Sequence, residues 1–273
     1  MENLLLNIAS IMTTMILSLT MVYVFKIILD KYFENKTNQN ASTEINAGNK
    51  AISIRRSGMY LGMIIAALGA MSESVLVQIL DQILILLFMG SAFIMSDKIL
   101  FKEVDNTKNI ANGNMSLAIS EFGLFIGTGI ITYASFSGQG PWYSSIVFFV
   151  LGQIVFIAIT KSYEKMYANI DKKVIEGNIS AGIMLGSVMI AFALILKTAI
   201  IGDFTSWEED IESFFVVSIF GFIILIIFAN YIIDKLFLPA ITIKEAIEAD
   251  NIAPIILLSS IKIGVALLIT FAI

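Results

Sequence analysis

Long apolar stretches separated by short polar links dominate the pattern of the sequence. A hydrocarbon core about 30 Å thick requires roughly 20 apolar residues in a helix, and the stretches are continuously apolar without the alternation of a transmembrane strand. The eight predicted spans are roughly 4–28, 57–74, 76–96, 115–134, 143–161, 178–198, 212–233 and 253–272. Because short links make neighbouring spans antiparallel, the pattern predicts an all-α, polytopic membrane helical bundle with eight transmembrane helices.

The basic residues predict the orientation of this bundle. Of the 17 Lys and Arg residues, all but Lys197 and Lys262 lie in or beside the links that follow the odd-numbered spans. Cytoplasmic loops carry the excess of Lys and Arg, so these links are predicted to be cytoplasmic and both termini to face outside. No basic segment precedes the first span, and Lys26 and Lys31 follow it. We therefore expect an uncleaved anchor.

A fourfold repeat runs along the chain. Each odd-numbered span ends in an acidic–basic pair, each even-numbered span opens with an Asn, and small residues follow nine and thirteen positions later. The aligned positions are Asn49, Gly58 and Gly62; Asn114, Gly123 and Gly127; Asn178, Ser187 and Ala191; and Asn251, Ser260 and Gly264. The repeat predicts four two-helix units that are all inserted in the same direction.

The repeated positions have a structural interpretation. The small residues lie within about 40° of each other around a helix and so form one face on which backbones can approach closely. We therefore predict helix packing at these glycines: Gly58, Gly62, Gly123, Gly127 and Gly264. The four Asn residues are placed as helix N-caps, and a ligand or ion site is the alternative.

Two segments, 176–186 and 238–242, resemble the YjfL-like bacterial inner-membrane proteins, a family known as a domain of unknown function, number three hundred and fifty. The family signature is similar to Asn49-x-Ala51 followed by Gly58 and Gly62, whereas Ser187 and Ser260 depart from it. A typical member has four spans, so the resemblance implies two membrane modules in tandem, 1–136 and 137–273. It also implies an inner-membrane location and a connection with envelope stress, without an established activity.

Four ionisable residues are candidates for charges at membrane depth: Arg56, at the start of the second predicted span, and Asp81, Glu121 and Lys262, within later spans. Such groups are costly in a membrane and are candidates for function. Arg56 and Glu121 share one repeat position and carry opposite charges, so we expect them to pair; for Lys262 the expected partner is Asp81, or otherwise Glu121. Arg56, Glu121 and Lys262 lie on helix faces roughly opposite the small residues. This arrangement predicts even-numbered helices inside the bundle and odd-numbered helices facing lipid. The charges serve either to hold the bundle together or to carry an ion or solute.

Composition narrows the range of functions. The chain of 273 residues is 58% hydrophobic and 14% charged, with a mean hydropathy of +0.88, which excludes a soluble globular domain. Neither Cys nor His occurs, so disulfides, thiolate metal sites and the commonest general base are excluded. No phosphate-binding glycine loop or hydrolase motif is present. We expect no enzymatic activity, no cofactor and no metal site, and a net charge of −5 gives no reason to expect nucleic acid.

Two functions remain for such a protein. The first is a non-enzymatic membrane scaffold or envelope-stress component, with the lipid bilayer and either further copies of itself or other membrane-stress proteins as partners. The second is a small ion channel or secondary transporter that uses the intramembrane charges. A charge-lined, water-filled cavity would distinguish the second from the first.

Overall fold

The computed structural model describes residues 2–70, 74–138, 140–167, 169–227, 234–237 and 241–272. Every regular element in these ranges is helical, which confirms the predicted all-α class. The predicted spans 57–74 and 212–233 reach into 71–73 and 228–233, which lie outside the described residues. The helices are α1 (Glu2–Thr37), α2 (Ala41–Asn46), α3 (Lys50–Ala67), α4 (Val75–Met95, continued by a π-helical turn, Ser96–Leu100), α5 (Asn106–Ala111), α6 (Met115–Phe136), α7 (Trp142–Met166), α8 (Ile170–Ile175), α9 (Ile179–Ile200), α10 (Trp207–Ile227), α11 (Asp234–Phe237), α12 (Ile243–Glu248) and α13 (Ile252–Ala272).

Seven helices of the described chain are long and apolar enough to cross a membrane. They lie in α1, α4 with its π-helical turn, α6, α7, α9, α10 and α13. The remaining predicted span, 57–74, overlaps α3, but α3 begins seven residues earlier, so its 18 residues include Lys50, Arg55 and Arg56. These three cations lower its hydropathy, so its place in a membrane depends on how they are neutralised.

A six-residue helix that the sequence analysis did not predict precedes each Asn. These helices are α2, α5, α8 and α12, and each is followed by a residue with positive φ: Gly48, Gly113 and Gly177 at 94–95° and Asp250 at 47°. Glycine adopts this left-handed region without steric cost because it has no Cβ, and Asp tolerates it better than most residues. The turn reverses the chain and places the Asn at the start of the next long helix.

We call each succession of a long helix, a six-residue helix and an Asn-headed helix a unit. Unit 1 is α1–α3, unit 2 is α4–α6, unit 3 is α7–α9 and unit 4 is α10–α13. The Asn-headed helices lie side by side in the order α3, α6, α9, α13, and we call this arrangement the row. Helices α4, α7 and α10 each contact two consecutive members of the row, whereas α1 makes its contacts in the row with α3.

Burial agrees with this arrangement. Within an 18-residue stretch of α6 and of α9, 83% and 78% of the residues are buried, compared with 6% in α1 and 22% in α10. Helices α6 and α9 therefore form the centre of the molecule, α13 is less buried at 39%, and the first helix of each unit presents most of its apolar side chains outward.

Glycines allow the members of the row to approach closely. A Cβ atom added to Gly62 or Gly123 would overlap a backbone carbonyl of the next helix in the row, and one on Gly58 would lie 2.6 Å from a Cα atom of α6. Gly127 is different because it faces the ring of Phe156 on α7, 2.7 Å from its Cζ. Three of the glycines singled out by the repeat thus lie where two backbones meet.

Candidate functional site

Asn49, Asn114 and Asn178 each join two units through one side chain. The amide oxygen accepts a hydrogen bond from the backbone N–H three residues later, at 2.7–3.2 Å, which caps the helix. The amide nitrogen donates to a carbonyl of the short helix in the next unit, at 2.7–2.8 Å. These bonds run from Asn49 to Ala111, from Asn114 to Ile175 and from Asn178 to Ile247. Capping and packing account for both ends of each amide.

Asn251 holds the same position in unit 4 but differs in its surroundings. Its side chain is exposed and makes no hydrogen bond with the described part of the chain. The residue three positions later is Pro254, which has no N–H to donate to a cap. Gly264 on the same helix has open space around the position of its missing Cβ, so within one chain it does not serve a close helix contact.

A buried polar cluster surrounds Glu121 between α3, α4 and α6. Glu121 is fully buried and forms an ion pair with the Nε of Arg55. Its other oxygen accepts a hydrogen bond from Ser96 Oγ at 2.5 Å, and Ser96 in turn accepts one from Asn106 Nδ2 at 2.9 Å. Arg55 also donates to Thr107 Oγ1 at 3.1 Å. The carboxylate is thus compensated by a cation and by hydrogen bonds, as a buried charge requires.

The predicted ion pair between Arg56 and Glu121 is wrong, because the partner of Glu121 is the preceding residue, Arg55. Arg56 instead binds Asp30 Oδ1 at 3.0 Å and donates to the carbonyl of Leu29 at 3.0 Å, both on α1. Successive residues of a helix point about 100° apart, so Arg55 faces α6 while Arg56 faces α1.

A small cavity lies between the two arginines. It measures about 10 Å³ and is lined by Leu29, Phe33 and Phe93 as well as Arg55 and Arg56. Arg55 Nη2 and Arg56 Nη1 are buried without a hydrogen-bond acceptor among the described residues. The space is about that of one water molecule.

Lys262 is the buried cation of the second half of the chain. It is 1% exposed, donates to Tyr163 Oη at 2.8 Å and lies 3.1 Å from Met184 Sδ. The ring of Tyr167 is also close, with its centroid 5.8 Å from Nζ. Lys262 is therefore held by α7 and α9, whereas its expected partner Asp81 lies on α4, so the structure does not bring the two together.

Asp81 lies two turns into α4 on a half-buried surface. Its neighbours Gln78 and Gln82 donate to Thr14 and Ser18 of α1 at 3.2 and 3.1 Å. No ion pair or hydrogen bond of the Asp81 carboxylate is found within the described ranges. No group of three acidic side chains there could hold a metal ion either.

Several members of the clusters were missed by the sequence analysis. Arg55 is adjacent to a residue that was considered, and Asp30 belongs to the acidic–basic pair that was interpreted as an interfacial anchor. Ser96, Thr107 and Tyr163 give no signal in a single sequence, because hydroxyl groups are common in membrane helices and only packing shows which of them face a charge.

The same family is matched by two consecutive parts of the chain, residues 3–136 and 139–273. The family is described as Domain of Unknown Function (DUF350). The chain belongs to this family. Each DUF350 domain contains two units, so the contact between α6 and α9 is also the largest contact between the two domains. The match is to DUF350 as a whole, which is broader than the YjfL-like group that the motifs resemble.

A relative of this DUF350 protein is the UPF0719 transmembrane protein of Aquifex aeolicus (strain VF5). It is 26% identical over 231 residues, which cover 80% of this chain and 85% of the relative. No solved structure matches the chain. The family and the relative, together with the seven apolar helices, establish a transmembrane protein of an uncharacterised family.

Proposed function

We propose that this DUF350 protein is a non-enzymatic scaffold of the bacterial inner membrane. The observation that carries the proposal is the pairing of the buried charges in unit 1 and unit 2. Arg55 binds Glu121, Arg56 binds Asp30, and the cavity between the two arginines has room for about one water molecule. Charges in this arrangement hold close-packed helices together, whereas a transport pathway requires polar groups along water-filled space.

The scaffold has eight spans in four parallel units. In support, α3 has 18 residues and at 1.5 Å per residue is about 27 Å long, which is close to the thickness of the hydrocarbon core. Its two arginines are neutralised by Glu121 and Asp30, so its net charge within the bundle is small. The bonds from Asn49, Asn114 and Asn178 to neighbouring short helices support a common direction of insertion.

The short helices and the Asn residues face the cytoplasm, and both termini face outside. The position of Lys and Arg supports this orientation, since almost all lie at the ends of the bundle that carry the short helices. The scaffold would contact its partners, including proteins of the membrane-stress response, through this basic side.

Ion flux in vesicles tests the scaffold proposal. Purified protein is reconstituted into liposomes that contain a pH-sensitive or ion-sensitive dye, and gradients of H⁺, Na⁺, K⁺ and Cl⁻ are applied in turn. A scaffold gives no flux above that of protein-free liposomes. Flux that disappears in Asp81→Asn and persists in Asp81→Glu, which keeps the carboxylate, would overturn the proposal.

One observation favours a transporter as the second candidate. Asp81 lies at membrane depth beside two glutamines and has no ion pair among the described residues. A carboxylate in that position can exchange a proton or bind a cation, as intramembrane acids of transporters do. The flux experiment with the two Asp81 variants decides between the candidates.

A further inference from the structure

The three contacts between consecutive members of the row share one register. When residues are counted from the Asn of their own helix, position nine of each unit lies against position eight of the next. These pairs are Gly58 with Phe122, Gly123 with Gly186, and Ser187 with Ser259, whose hydroxyl groups are 2.9 Å apart. Each contact also includes the bond from the Asn amide to the next short helix. We call this combination the junction.

Unit 4 has the residues through which a unit contacts the next unit in a junction, but within the described residues no other unit covers them. Ala253 and Ser260, at positions two and nine, are exposed, and Gly264 at position thirteen has open space beside it. The Asn251 amide is exposed as well and makes no hydrogen bond within the described part of the chain. In the other three units these positions are covered by the following unit.

Unit 1 has the residues through which a unit contacts the preceding unit in a junction, but no other unit of the described chain covers them. Ser57, at position eight, is exposed, and Leu61, Ile64 and Leu68 continue the same face of α3 at 46%, 41% and 51% exposure. The carbonyl of Asn46 occupies the position that Ala111 and Ile175 hold in units 2 and 3. The first helix of units 2, 3 and 4 also contacts the row helix of the preceding unit, whereas α1 contacts the row helix of its own unit, α3.

We propose that a second copy of this chain occupies the open face of α13 with its α3, so that copies associate head to tail through a fourth junction. The occupant follows from continuity, because the two open faces are the two halves of a contact that the chain already makes three times. In this register, Ser260 of one copy lies against Ser57 of the next, and the Asn251 amide donates a hydrogen bond to the carbonyl of Asn46. Small residues on a membrane helix serve backbone approach, and lipid chains alone do not need them.

Such an interface is heterologous, since different faces of the two copies meet. Heterologous contacts close into a ring when the rotation between copies permits and otherwise form an open filament. The proposed association does not depend on the scaffold proposal, because a transporter could assemble in the same way. If the flux experiment contradicts the scaffold, the association is unaffected, and if the cross-linking experiment contradicts the association, the scaffold is unaffected.

Cysteine cross-linking in native membranes tests the register. The chain contains no Cys, so Ser57→Cys with Ser260→Cys introduces the only thiols. Oxidation is expected to give a series of covalent multimers from the double variant, ending at a fixed mass for a ring, and only monomer from each single variant. Ser187→Cys with Ser259→Cys is the matched positive control, because it places thiols at the same register positions within one chain.

Two outcomes would contradict the proposal. One is the absence of multimers from the Ser57 and Ser260 pair when the Ser187 and Ser259 pair cross-links fully. The other is a dimer from Ser260→Cys alone, which would mean that two α13 helices meet symmetrically.

A substitution at Gly264 provides a second test that does not depend on disulfide geometry. A Leu side chain there meets open space within one chain but would separate the helices of the proposed junction. The multimer yield in the Ser57 and Ser260 background is expected to fall by about tenfold or more. Gly90→Leu is the matched control, since Gly90 on α4 also faces open space and lies outside the row. An unchanged yield in Gly264→Leu would overturn the proposal.

Discussion

Arg55 holds Glu121 across the contact between α3 and α6, and the next residue, Arg56, turns to Asp30 on α1. The two ion pairs share no partner, although their cations are adjacent in the sequence. Their contributions to stability should therefore be separable by mutation.

The first prediction concerns the Arg55–Glu121 pair. Glu121→Gln leaves Arg55 buried without its counter-charge and is expected to lower the free energy of unfolding by about 3–5 kcal/mol. Adding Arg55→Gln should recover part of this loss, because no uncompensated charge remains. Denaturant titration in detergent micelles measures the three variants.

The control for this cycle is Arg56→Gln combined with Glu121→Gln. Since Arg56 binds Asp30, the two effects should add. If the stability losses were additive for Arg55→Gln with Glu121→Gln and non-additive for Arg56→Gln with Glu121→Gln, the partner of Glu121 would be Arg56 and not Arg55.

The second prediction compares two glycines of the row. Gly123→Ala places a methyl group against the backbone of α9, which cannot move without separating the helices, and about 1–3 kcal/mol of destabilisation is expected. Gly127→Ala meets the end of the Phe156 side chain, which can rotate, so its cost should be smaller. Thermal unfolding in detergent measures both, and equal losses would contradict the distinction between backbone and side-chain contact.

The third prediction separates the two roles of the repeated Asn. Asn178→Asp keeps an oxygen that can cap α9 but replaces the N–H that binds the carbonyl of Ile247 with a carboxylate oxygen, so it reports the loss of the bond between units together with the repulsion that replaces it. Asn178→Ala removes both, with about 1 kcal/mol for the cap and about 1 kcal/mol for the second bond. Asn251→Ala is the control in monomeric protein, where stability should not change; a loss there as large as in Asn178→Ala would refute the assignment.

The fourth prediction concerns orientation. Ser42→Cys lies in a predicted cytoplasmic link and Glu208→Cys on the opposite side, and both positions are exposed. In intact cells a membrane-impermeant maleimide should label position 208 and not 42, whereas both should react after the membrane is permeabilised. The opposite labelling pattern would reverse the proposed topology.

Periodicity and composition were sufficient for the helical class, because a run of about 20 apolar residues has few other solutions. The small residues after Asn49 and Asn114 also indicated where backbones meet. The six-residue helices were not predicted, since each is shorter than two turns and its sequence is as polar as an ordinary link. Three of them, α5, α8 and α12, are stabilised by the row, whose Asn amides bind a carbonyl of one of their last two residues.

The choice between Arg55 and Arg56 could not be made from sequence for a different reason. The repeat position identified the seventh residue after Asn49, which is Arg56, but a shift of one residue turns a side chain by about 100°. Which face of α3 meets α6 depends on the register of close contacts such as that of Gly62. Tyr163 and Lys262 come together by the same kind of long-range packing.

The contact between α6 and α9 joins the two DUF350 domains, yet it is built from the same register of contacts as those within each domain. The short connection between the domains therefore does not create this contact; it raises the effective concentration of one half for the other and fixes their ratio at one to one. A covalently tethered pair of this kind frees its halves to diverge while their pairing is kept. The first half holds a buried arginine–carboxylate pair between α3 and α6, whereas in the second the equivalent positions of α9 and α13 carry the buried apolar residues Met184 and Leu258.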